Sequence, residues 1–365
     1  MHIETIKEKL LDAVYKAEKI TGRNMALQIL SNLAIEVSGS QFKIKATNLD
    51  LGLEIIVPVK VKSPGKITVS ALILSNFLAN LPVETKIDIQ SKENDVFIHT
   101  SKTSTKIKNQ NFSDFPLIPK LEGKKFKIEA NSIVKGLKSV VFSAATSSIK
   151  PELSSINIYH DGESLVFVAT DSFRLAEKRI KTTKAKEISQ ILIPFKNTTD
   201  IIRILESVNG ELDLTISQNQ ISFKTDEIYL VSRVIEGNFP DYKQIIPKET
   251  KTEVTLLKAD LLSALKLSNV FSDSFNQVVL KVIPDEKLFE LTTKNSDVGE
   301  NHYTLDSVMK GDEITLGFNH KYIADCLNSI DSDSITLSFV GPGKPVMIKG
   351  VSDKSFLYIV MPMNR

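Results

Sequence analysis

The 365-residue sequence contains no tryptophan and only one cysteine, Cys326. A lone cysteine cannot form an internal disulfide, which is typical of proteins that work in a reducing compartment. The five histidines show no metal-ligand spacing with one another or with the carboxylates. They are His2, His99, His160, His302 and His320. We therefore expect neither a metal site nor a cofactor.

The sequence also lacks any apolar run close to the roughly 20 residues that a membrane helix needs. A secretory signal peptide is not visible, because Met1–Leu11 already carries four charges, on Glu4, Lys7, Glu8 and Lys9. These two absences predict a soluble, cytoplasmic protein with no membrane partner.

An excess of charge of one sign is absent as well, since 46 Lys and Arg stand against 44 Asp and Glu and leave a net charge of +2. This near-balance excludes a histone-like polycation, although a basic surface offset by an acidic one could still bind nucleic acid. The sequence is 42% hydrophobic, and its 365 residues are more than a single hydrophobic core usually contains. We expect two or three well-packed domains.

A long internal repeat indicates that the number of domains is three. Similar segments recur at Ala46–Glu54, Ala169–Glu177 and Thr292–Glu300, reading ATNLDLGLE, ATDSFRLAE and TTKNSDVGE. Their closing glutamates, at positions 54, 177 and 300, lie 123 residues apart in both steps. A period this long indicates whole repeated domains rather than a solenoid of small units. Three unrelated α+β domains are the alternative, which the paired spacing disfavours.

The flanks of these segments repeat too. Helices are predicted at Ile6–Ile20, Leu72–Leu81, Ser132–Ala145, Thr198–Val208, Asp260–Val270 and Lys321–Ile330. Segments rich in Val, Ile, Phe and Thr with near-alternating polarity lie between the helices and predict strands. Each unit is therefore predicted to be an α+β domain of two helices and about eight strands. Polar links place the domain boundaries at 1–122, 123–249 and 250–365.

The outward face of one predicted helix is basic. In Ser132–Ala145 the apolar residues fall on one arc, and Lys135, Lys138 and Ser139 fall on the other side. In the first predicted helix the buried arc begins at Ile6, and the opposite face is only partly basic. A solvated charged surface is the simplest explanation of any one such helix. Recurrence in three domains favours a surface that meets DNA phosphates without reading bases.

Two distant stretches carry a family resemblance. Ala169–Ala176 (ATDSFRLA) and Ile359–Arg365 (IVMPMNR) are similar to the segments A-T-D-G-H-R-L-A and V-M-P-M-R of the bacterial DNA polymerase III β subunit, the sliding clamp. The resemblance covers essentially the whole chain and includes Phe239–Tyr242 (FPDY) and Gly317–Tyr322 (GFNHKY). It implies an α+β fold of three repeated clamp domains, each with two helices and antiparallel sheets. It also implies that two chains close head-to-tail into a ring.

In that family the two stretches form one pocket for partner peptides, so the resemblance implies such a pocket here. Its expected lining is Leu153, Thr170, Arg174, Leu175, Pro240, Ile245, Phe275, Asn319, Tyr322, Val360, Met361, Pro362 and Met363. Arg174 would offer a rigid donor fork to a partner. The methionines suit a site for many partners, because thioether chains repack easily. Taken singly, each motif could equally be a plain turn or edge packing.

The chain departs from the family pattern at the pocket. Ser172 and Phe173 stand where the family has Gly-His, and Asn364 stands where it has the tail arginine. We expect the pocket to survive these changes but its peptide preference to differ.

Five residues are expected to contact DNA: Arg23, Lys135, Lys138, Lys150 and Arg203. Arg23 matches the DNA-contacting arginine of the family, and Lys150 lies in the equivalent loop of the middle domain. Arg203 lies on the second helix of that domain, beside Asp200 and Glu206.

The ring interface is expected between an edge strand near Lys102–Lys108 and the region Asp297–Asp306 with Leu267. Three lysines of the edge strand could face Asp297 and Glu300. They are Lys102, Lys106 and Lys108. Exposed lysines on an edge strand can equally serve only to discourage aggregation.

No catalytic site is expected, because Asp171 and Arg174 have no accompanying nucleophile–base pair. The sequence predicts a non-catalytic DNA sliding clamp and processivity factor that tethers the replicative polymerase. The implied partners are double-stranded DNA, the polymerase III catalytic subunit, the clamp loader, repair and translesion factors, and a second copy of the chain. The rival interpretations are a non-DNA scaffold of three domains and a hydrolase that uses Asp171 and Arg174.

Overall fold

The computed structural model describes residues 1–22, 27–92, 95–147, 149–182 and 188–363. Within these ranges the chain forms six α-helices and 26 strands, and the strand ladders are antiparallel. The predicted α+β class is confirmed. No helix in these ranges is both long and apolar enough to cross a lipid bilayer.

The first third of the chain contains two helices and nine strands among its described residues. They are β1 (His2–Ile6), α1 (Lys7–Ile20), β2 (Asn32–Ser38), β3 (Gln41–Thr47), β4 (Leu51–Val57), β5 (Lys60–Ser63), β6 (Gly65–Ser70), α2 (Ala71–Ala79), β7 (Lys86–Lys92), β8 (Asp95–His99) and β9 (Ser104–Lys108).

The middle third repeats the succession of strand, helix, strands, helix and three strands. Its elements are β10 (Lys124–Glu129), α3 (Ala130–Val140), β11 (Ser155–Asp161), β12 (Ser164–Thr170), β13 (Arg174–Lys181), β14 (Ile191–Pro194), α4 (Phe195–Leu205), β15 (Glu211–Ile216), β16 (Gln220–Lys224) and β17 (Ile228–Arg233).

The last third follows the same order. Its elements are β18 (Thr252–Leu257), α5 (Lys258–Ser268), β19 (Gln277–Ile283), β20 (Leu288–Asn295), β21 (Gly299–Thr304), β22 (Val308–Gly311), β23 (Ile314–Asn319), α6 (His320–Leu327), β24 (Ser334–Phe339), β25 (Val346–Gly350) and β26 (Phe356–Val360).

Five of the six helices begin and end earlier than the sequence predicted, and α1 begins one residue later, at Lys7. Helix α3 ends at Val140 and continues as a 3₁₀ turn over Val141–Ser143, and α4 begins at Phe195 rather than Thr198. Ser139 is buried, not on the outward face with Lys135. The buried face of α3 is therefore wider than predicted and includes a polar residue.

Helix α1 corrects a second expectation. Ile6 was predicted to begin the buried arc, but it ends β1 and is 39% exposed. The neighbouring Lys7 is buried instead, and its ammonium group donates to the carbonyl oxygens of Ala79 and Leu81. The lysine therefore satisfies carbonyl groups at the end of α2, which burial would otherwise leave unpaired.

The chain folds into two compact units, residues 1–131 with 199–234 and residues 132–198 with 235–365. The division falls inside the middle repeat, which gives β15–β17 to the first unit and β11–β14 to the second. Repeats along the sequence and compact units in space therefore do not coincide.

The first unit contains a five-stranded and an eight-stranded sheet. The smaller sheet has the order β5-β1-β7-β8-β9, and the larger has the order β10-β15-β16-β17-β4-β3-β2-β6. In the larger sheet β4 pairs with β17, so that Gly52 lies opposite Val231 and Ile55 opposite Ile228. This ladder joins strands of the first and middle repeats into one continuous sheet.

The second unit is built in the same way. Its nine-stranded sheet has the order β14-β11-β12-β13-β26-β25-β24-β18-β22, and its four-stranded sheet has the order β21-β20-β19-β23. Here β13 of the middle repeat pairs with β26 of the last repeat. Helix α3 packs closely on this sheet, because a Cβ atom on Gly136 would lie 2.2 Å from the Phe167 ring. Only glycine allows that approach.

The turn between β3 and β4 shows how the repeated ATN/ATD segment folds. Thr47 Oγ1 donates to the carbonyl oxygen of Leu51 at 2.7 Å, and Asn48 Oδ1 accepts from the N–H groups of Asp50 and Leu51 at 3.0 and 2.7 Å. The residue between them, Leu49, has φ +77°. Threonine and asparagine side chains thus replace missing backbone partners in a tight turn.

Candidate functional site

The last strand of the chain pairs with the strand that follows the ATD segment. In the β13–β26 ladder, Arg174 lies opposite Val360 and Leu175 opposite Ile359. The main chain continues this pairing, because Met361 N–H donates to the carbonyl oxygen of Phe173 at 2.8 Å. The structure thus brings together the two stretches that carry the family resemblance.

The tail then reaches β23. Met363 N–H donates to the carbonyl oxygen of Gly317 at 2.8 Å, two residues before Asn319. Met361 is exposed, Pro362 and Met363 are half-buried, and Val360 is buried. The tail therefore lies as a hydrogen-bonded strip between β13 and β23 with apolar side chains at the surface.

The turn before β13 has the same hydrogen bonds as the turn after Thr47. Thr170 Oγ1 donates to the carbonyl oxygen of Arg174 at 2.7 Å, and Asp171 Oδ1 accepts from the N–H groups of Phe173 and Arg174 at 3.0 Å. Ser172 has φ +76°, which a non-glycine residue rarely adopts. The turn holds the Phe173 side chain outward, where it is 61% exposed.

Arg174 is committed to contacts within the chain. Its Nε donates to Asp171 Oδ2 at 3.0 Å, and its Nη1 donates to Asp325 Oδ2 at 2.7 Å. Its guanidinium carbon lies 4.3 Å from the centre of the Tyr322 ring and 5.7 Å from that of Phe142. Burial would lower the pKa of Arg174, but the hydrogen bond to Asp325 and the other nearby groups outweigh it and raise the pKa.

The donor fork expected of Arg174 is partly used within the chain itself. The sequence suggested a donor fork open to a partner, whereas two carboxylates of the same chain occupy Nε and Nη1. One of them, Asp325, lies on α6 and was not predicted as a site residue. The other, Asp171, accepts hydrogen bonds throughout the turn, so the Asp171–Arg174 pair is a structural contact.

The segment after β17 packs beside the tail strand. Phe239 and Tyr242 belong to the buried apolar cluster that includes Leu175 and Ile359. The Tyr242 hydroxyl donates to Glu177, and burial, the largest cause, raises the pKa of that phenol. These anchors hold the segment in place.

Two predicted pocket residues project from this anchored segment. Pro240 and Ile245 are both exposed. They sit on either side of the buried Tyr242, so the segment presents apolar side chains to solvent while its anchor points inward.

Phe275 and Asn319 also come together. Asn319 Nδ2 donates to the carbonyl oxygen of Phe275 at 3.5 Å, and Asn319 Oδ1 caps α6 by accepting from Lys321 N–H at 3.0 Å. The Phe275 side chain is 68% exposed. Tyr322, in the first turn of α6, accepts a hydrogen bond at its carbonyl oxygen from the Tyr358 hydroxyl at 2.7 Å.

Some of the predicted pocket residues are exposed at the surface, and others are buried. Leu153, Thr170, Leu175 and Val360 are buried. The exposed members are Pro240, Ile245, Phe275 and Met361, together with Phe173. Sequence reasoning missed the supports Asp325, Glu177 and Tyr358, because only folding brings them to the site. An apolar surface on a hydrogen-bonded frame is suited to hold an apolar peptide.

The residues predicted to contact DNA lie on both units. In the second unit, Lys135 and Lys138 are exposed on α3, and Lys150 is exposed in a turn. In the first unit, Arg203 Nη1 donates to Asp200 Oδ1 at 2.6 Å. Arg23 lies outside the described residues.

Lys135 is not free of acids. Its Nζ lies 2.5 Å from Asp331 Oδ2, a residue 196 positions along the chain. The sequence predicted a basic face with no acid on the same helix, and the acid comes from the loop after α6 instead. Lys135 pulls the pKa of Asp331 below its usual value.

Three family models match consecutive parts of the chain. The N-terminal domain of the DNA polymerase III beta subunit matches residues 1–119, the central domain matches residues 127–241 and the C-terminal domain matches residues 243–364. Together they cover nearly the whole sequence in the family's order.

Curated relatives and solved structures agree with these matches. The beta sliding clamps of Bacillus subtilis and Halalkalibacterium halodurans are 25% and 26% identical to this chain, covering 98% and 100% of it and the same shares of the relatives. A DNA polymerase III subunit beta sliding clamp from Pseudomonas aeruginosa aligns over 100% of both chains with a TM-score of 0.94 and 24% identity. The Bacillus subtilis clamp aligns over 100% of this chain and 99% of its own with a TM-score of 0.93 and 23% identity.

Proposed function

Since the chain belongs to the DNA polymerase III beta subunit family, it is a DNA sliding clamp, a non-catalytic processivity factor of DNA replication, and we propose how its residues perform that function. The chain would encircle duplex DNA and carry the polymerase on a peptide pocket beside its last strand. We propose domain boundaries at 1–122, 123–249 and 250–365. The unmatched residues 120–126 support the first boundary, whereas residue 242, between the second and third matched segments, lies seven residues before the second boundary.

The proposed DNA surface uses basic side chains on helices and turns. Lys135 and Lys138 on α3, Lys150 in the following turn, Arg203 on α4 and Arg23 would meet phosphates. Such contacts carry no sequence information, so a clamp held by them can move along the duplex. The exposure of the first three lysines supports this assignment.

The proposed ring is a head-to-tail dimer, which needs two different surfaces that fit each other. Strand β9 forms one edge of the five-stranded sheet and β21 forms one edge of the four-stranded sheet, each with unpaired backbone groups. Leu267, Val270 and Val298 are exposed apolar residues of the last repeat. We propose that β9 of one chain meets β21 and these residues of the other.

The proposed peptide pocket is the surface made by the thirteen predicted residues together with Phe173. One observation carries the proposal: β26 pairs with β13, and the tail beyond it is hydrogen-bonded through Met361 to the exposed Phe173 turn and through Met363 to Gly317 of β23. Apolar partner segments would bury Met361, Phe275 and Ile245. The partners we propose are the polymerase III catalytic subunit, the clamp loader, and repair and translesion factors.

We also propose a cytoplasmic location, where the chromosome is replicated. The buried, unpaired thiol of Cys326 is compatible with a reducing compartment.

The test is topological. The clamp is loaded by its clamp loader onto nicked circular DNA, and the DNA is then linearised. We expect retention on the circle and on linear DNA with blocked ends, and release from linear DNA with open ends. Release would be measured by gel filtration.

Other outcomes identify the rivals. Equal retention on open linear DNA would mean direct binding and would contradict encirclement. No retention on any DNA form would favour the non-DNA scaffold.

A further inference from the structure

The ion pair between Lys135 and Asp331 differs from the pair between Arg203 and Asp200 on the proposed DNA surface. Arg203 and Asp200 are three residues apart on one helix, an ordinary arrangement on helix surfaces. Lys135 and Asp331 come from different repeats, and their side chains are 54% and 63% exposed. The pair is thus at the surface, where a phosphate could reach it.

The buried Asp353 side chain fixes the backbone at Asp331. Its backbone N–H donates to Asp353 Oδ2 at 3.1 Å, and the same oxygen accepts from the buried Lys178 at 3.1 Å. Ser355 donates its N–H and hydroxyl to the other oxygen of Asp353, at 2.9 and 2.5 Å. A buried ion pair therefore fixes the main chain that presents the Asp331 carboxylate to Lys135.

A fixed carboxylate changes what Lys135 can contribute to DNA binding. A free lysine that meets a phosphate releases a counter-ion from DNA, which gives the salt dependence of binding. A lysine already neutralised by an acid must first exchange that acid for the phosphate. The displaced acid then takes up a cation and repels the DNA, so little net ion release remains.

We propose that Asp331 is a resident competitor for DNA phosphate at Lys135, which weakens the hold of this lysine on the backbone. The inference rests on the proposed DNA-facing role of α3. Its consequence is that a clamp keeps a basic surface facing DNA while the lysine nearest Asp331 contributes little to binding. Sliding requires such weak, exchangeable contacts.

The experiment measures direct binding of the full chain to a short fluorescent duplex by anisotropy over a salt series. Asp331→Asn removes the charge but keeps the backbone hydrogen bond to Asp353. Asp333→Asn is the matched control, since Asp333 is exposed nearby and its side chain has no ion pair in the described part of the chain. Lys135→Gln is made alone and together with Asp331→Asn.

We expect Asp331→Asn to bind DNA about threefold more tightly at low salt and to steepen the slope of log K against log salt by up to about 0.9. Asp333→Asn should change both quantities much less. Lys135→Gln should have little effect alone but should remove the whole gain of Asp331→Asn.

Equal effects of the two Asp→Asn variants, or a gain that survives Lys135→Gln, would overturn the inference. Retention of the wild-type protein on circular DNA is measured separately. If that retention fails, the clamp function itself is wrong, whatever Asp331 does. If retention succeeds while the two variants agree, only the role of Asp331 is lost.

Discussion

Lys178 and Asp353 form the most deeply buried ion pair of the second unit among the described residues. The Lys178 side chain is 1% exposed, and its ammonium group lies 3.1 Å from Asp353 and 5.8 Å from the centre of the Phe356 ring. Removing two charges from water costs free energy that only good geometry offsets. Asp353 accepts hydrogen bonds from Lys178, from Ser355 and from the backbone N–H of Asp331, so both of its carboxylate oxygens are hydrogen-bonded. The pair joins β13 to the loop before β26.

This pair makes stability depend on pH in the acid range. Burial would raise the pKa of Asp353, but its hydrogen bonds to Ser355, Asp331 and Lys178 outweigh burial and lower the pKa to about 2. A lowered pKa adds stability above the unfolded-state pKa near 3.9, and that stability is lost as pH falls towards 2. We expect the free energy of unfolding to fall by about 2 kcal/mol from this group over that window. Urea unfolding at several pH values measures it.

Asp353→Asn supplies the comparison. The variant should lose this part of the pH dependence, and at pH 7 it should be destabilised by about 3–5 kcal/mol because Lys178 stays buried without its partner. Adding Lys178→Met should recover much of that loss. An unchanged acid titration of unfolding in Asp353→Asn would show that another group causes it.

Strand β26 and the tail that follows it, residues 361–365, have different roles. Strand β26 ends at Val360 and is paired on both sides, with β13 and with β25. The residues after it add only two backbone hydrogen bonds in the described part of the tail, from Met361 and Met363. We therefore expect β26 to stabilise the sheet, and the residues after it to contribute to the partner-binding surface.

Removal of residues 361–365 tests this division. We expect the truncated chain to keep its fold and its oligomeric state and to lose binding to the polymerase III catalytic subunit. Met361→Ala alone should weaken that binding about tenfold or more, since burying a methionine contributes roughly 1.5–3 kcal/mol. Surface plasmon resonance measures the affinity.

Val351→Ala is the control for Met361→Ala, because Val351 is an exposed apolar residue of the same unit in the turn after β25. Its binding should match the wild type. If the truncation dissociates the oligomer, the tail is structural and the assignment of the pocket loses its main support.

Local sequence patterns predicted the helices and strands better than they predicted which distant residues come into contact. The threonine and aspartate of the repeated segment form a turn through bonds to their own neighbours. The sequence located this segment by its repetition but did not identify it as a turn. The partner of Arg174 could not be predicted, because Asp325 is 151 residues away and nothing local pairs them. The exchange of Ile6 for Lys7 in the core of α1 has the same origin. A lysine is buried there only because folding brings carbonyl oxygens of Ala79 and Leu81 to it.

At the scale of the whole molecule, adjacent repeats share sheets. The β4–β17 ladder joins the first and middle repeats, and the β13–β26 ladder joins the middle and last repeats. The two ladders correspond residue by residue, since Arg233 N–H donates to the Asp50 carbonyl as Met361 N–H donates to that of Phe173. The period of 123 residues predicted three similar domains, but strand pairing between distant segments leaves no local signal in a sequence.

The sheets of one chain still have open edges to which a second chain can add strands. The first repeat ends in β9 and the last contains β21, and both strands lie at sheet edges. A head-to-tail dimer would pair β9 of each chain with β21 of the other, whereas a dimer joined through a single edge would pair β9 with β9 or β21 with β21. The two arrangements differ in what a charge reversal does.

We expect the wild-type chain to have twice its 40.6 kDa mass in light scattering. Lys102 and Lys108 are exposed at the β9 edge, and Asp297 and Glu300 are exposed at the β21 edge. Reversing either pair, as Lys102→Glu with Lys108→Glu or as Asp297→Lys with Glu300→Lys, places like charges across both interfaces and should give monomers. Mixing the two variants should restore a dimer, because each interface then joins opposite charges.

Lys92→Glu with Lys86→Glu, on β7 inside the sheet, is the control and should stay dimeric. Monomers in the mixture would rule out the pairing of these edges, and dimers of either variant alone would show that these charges do not form the interface.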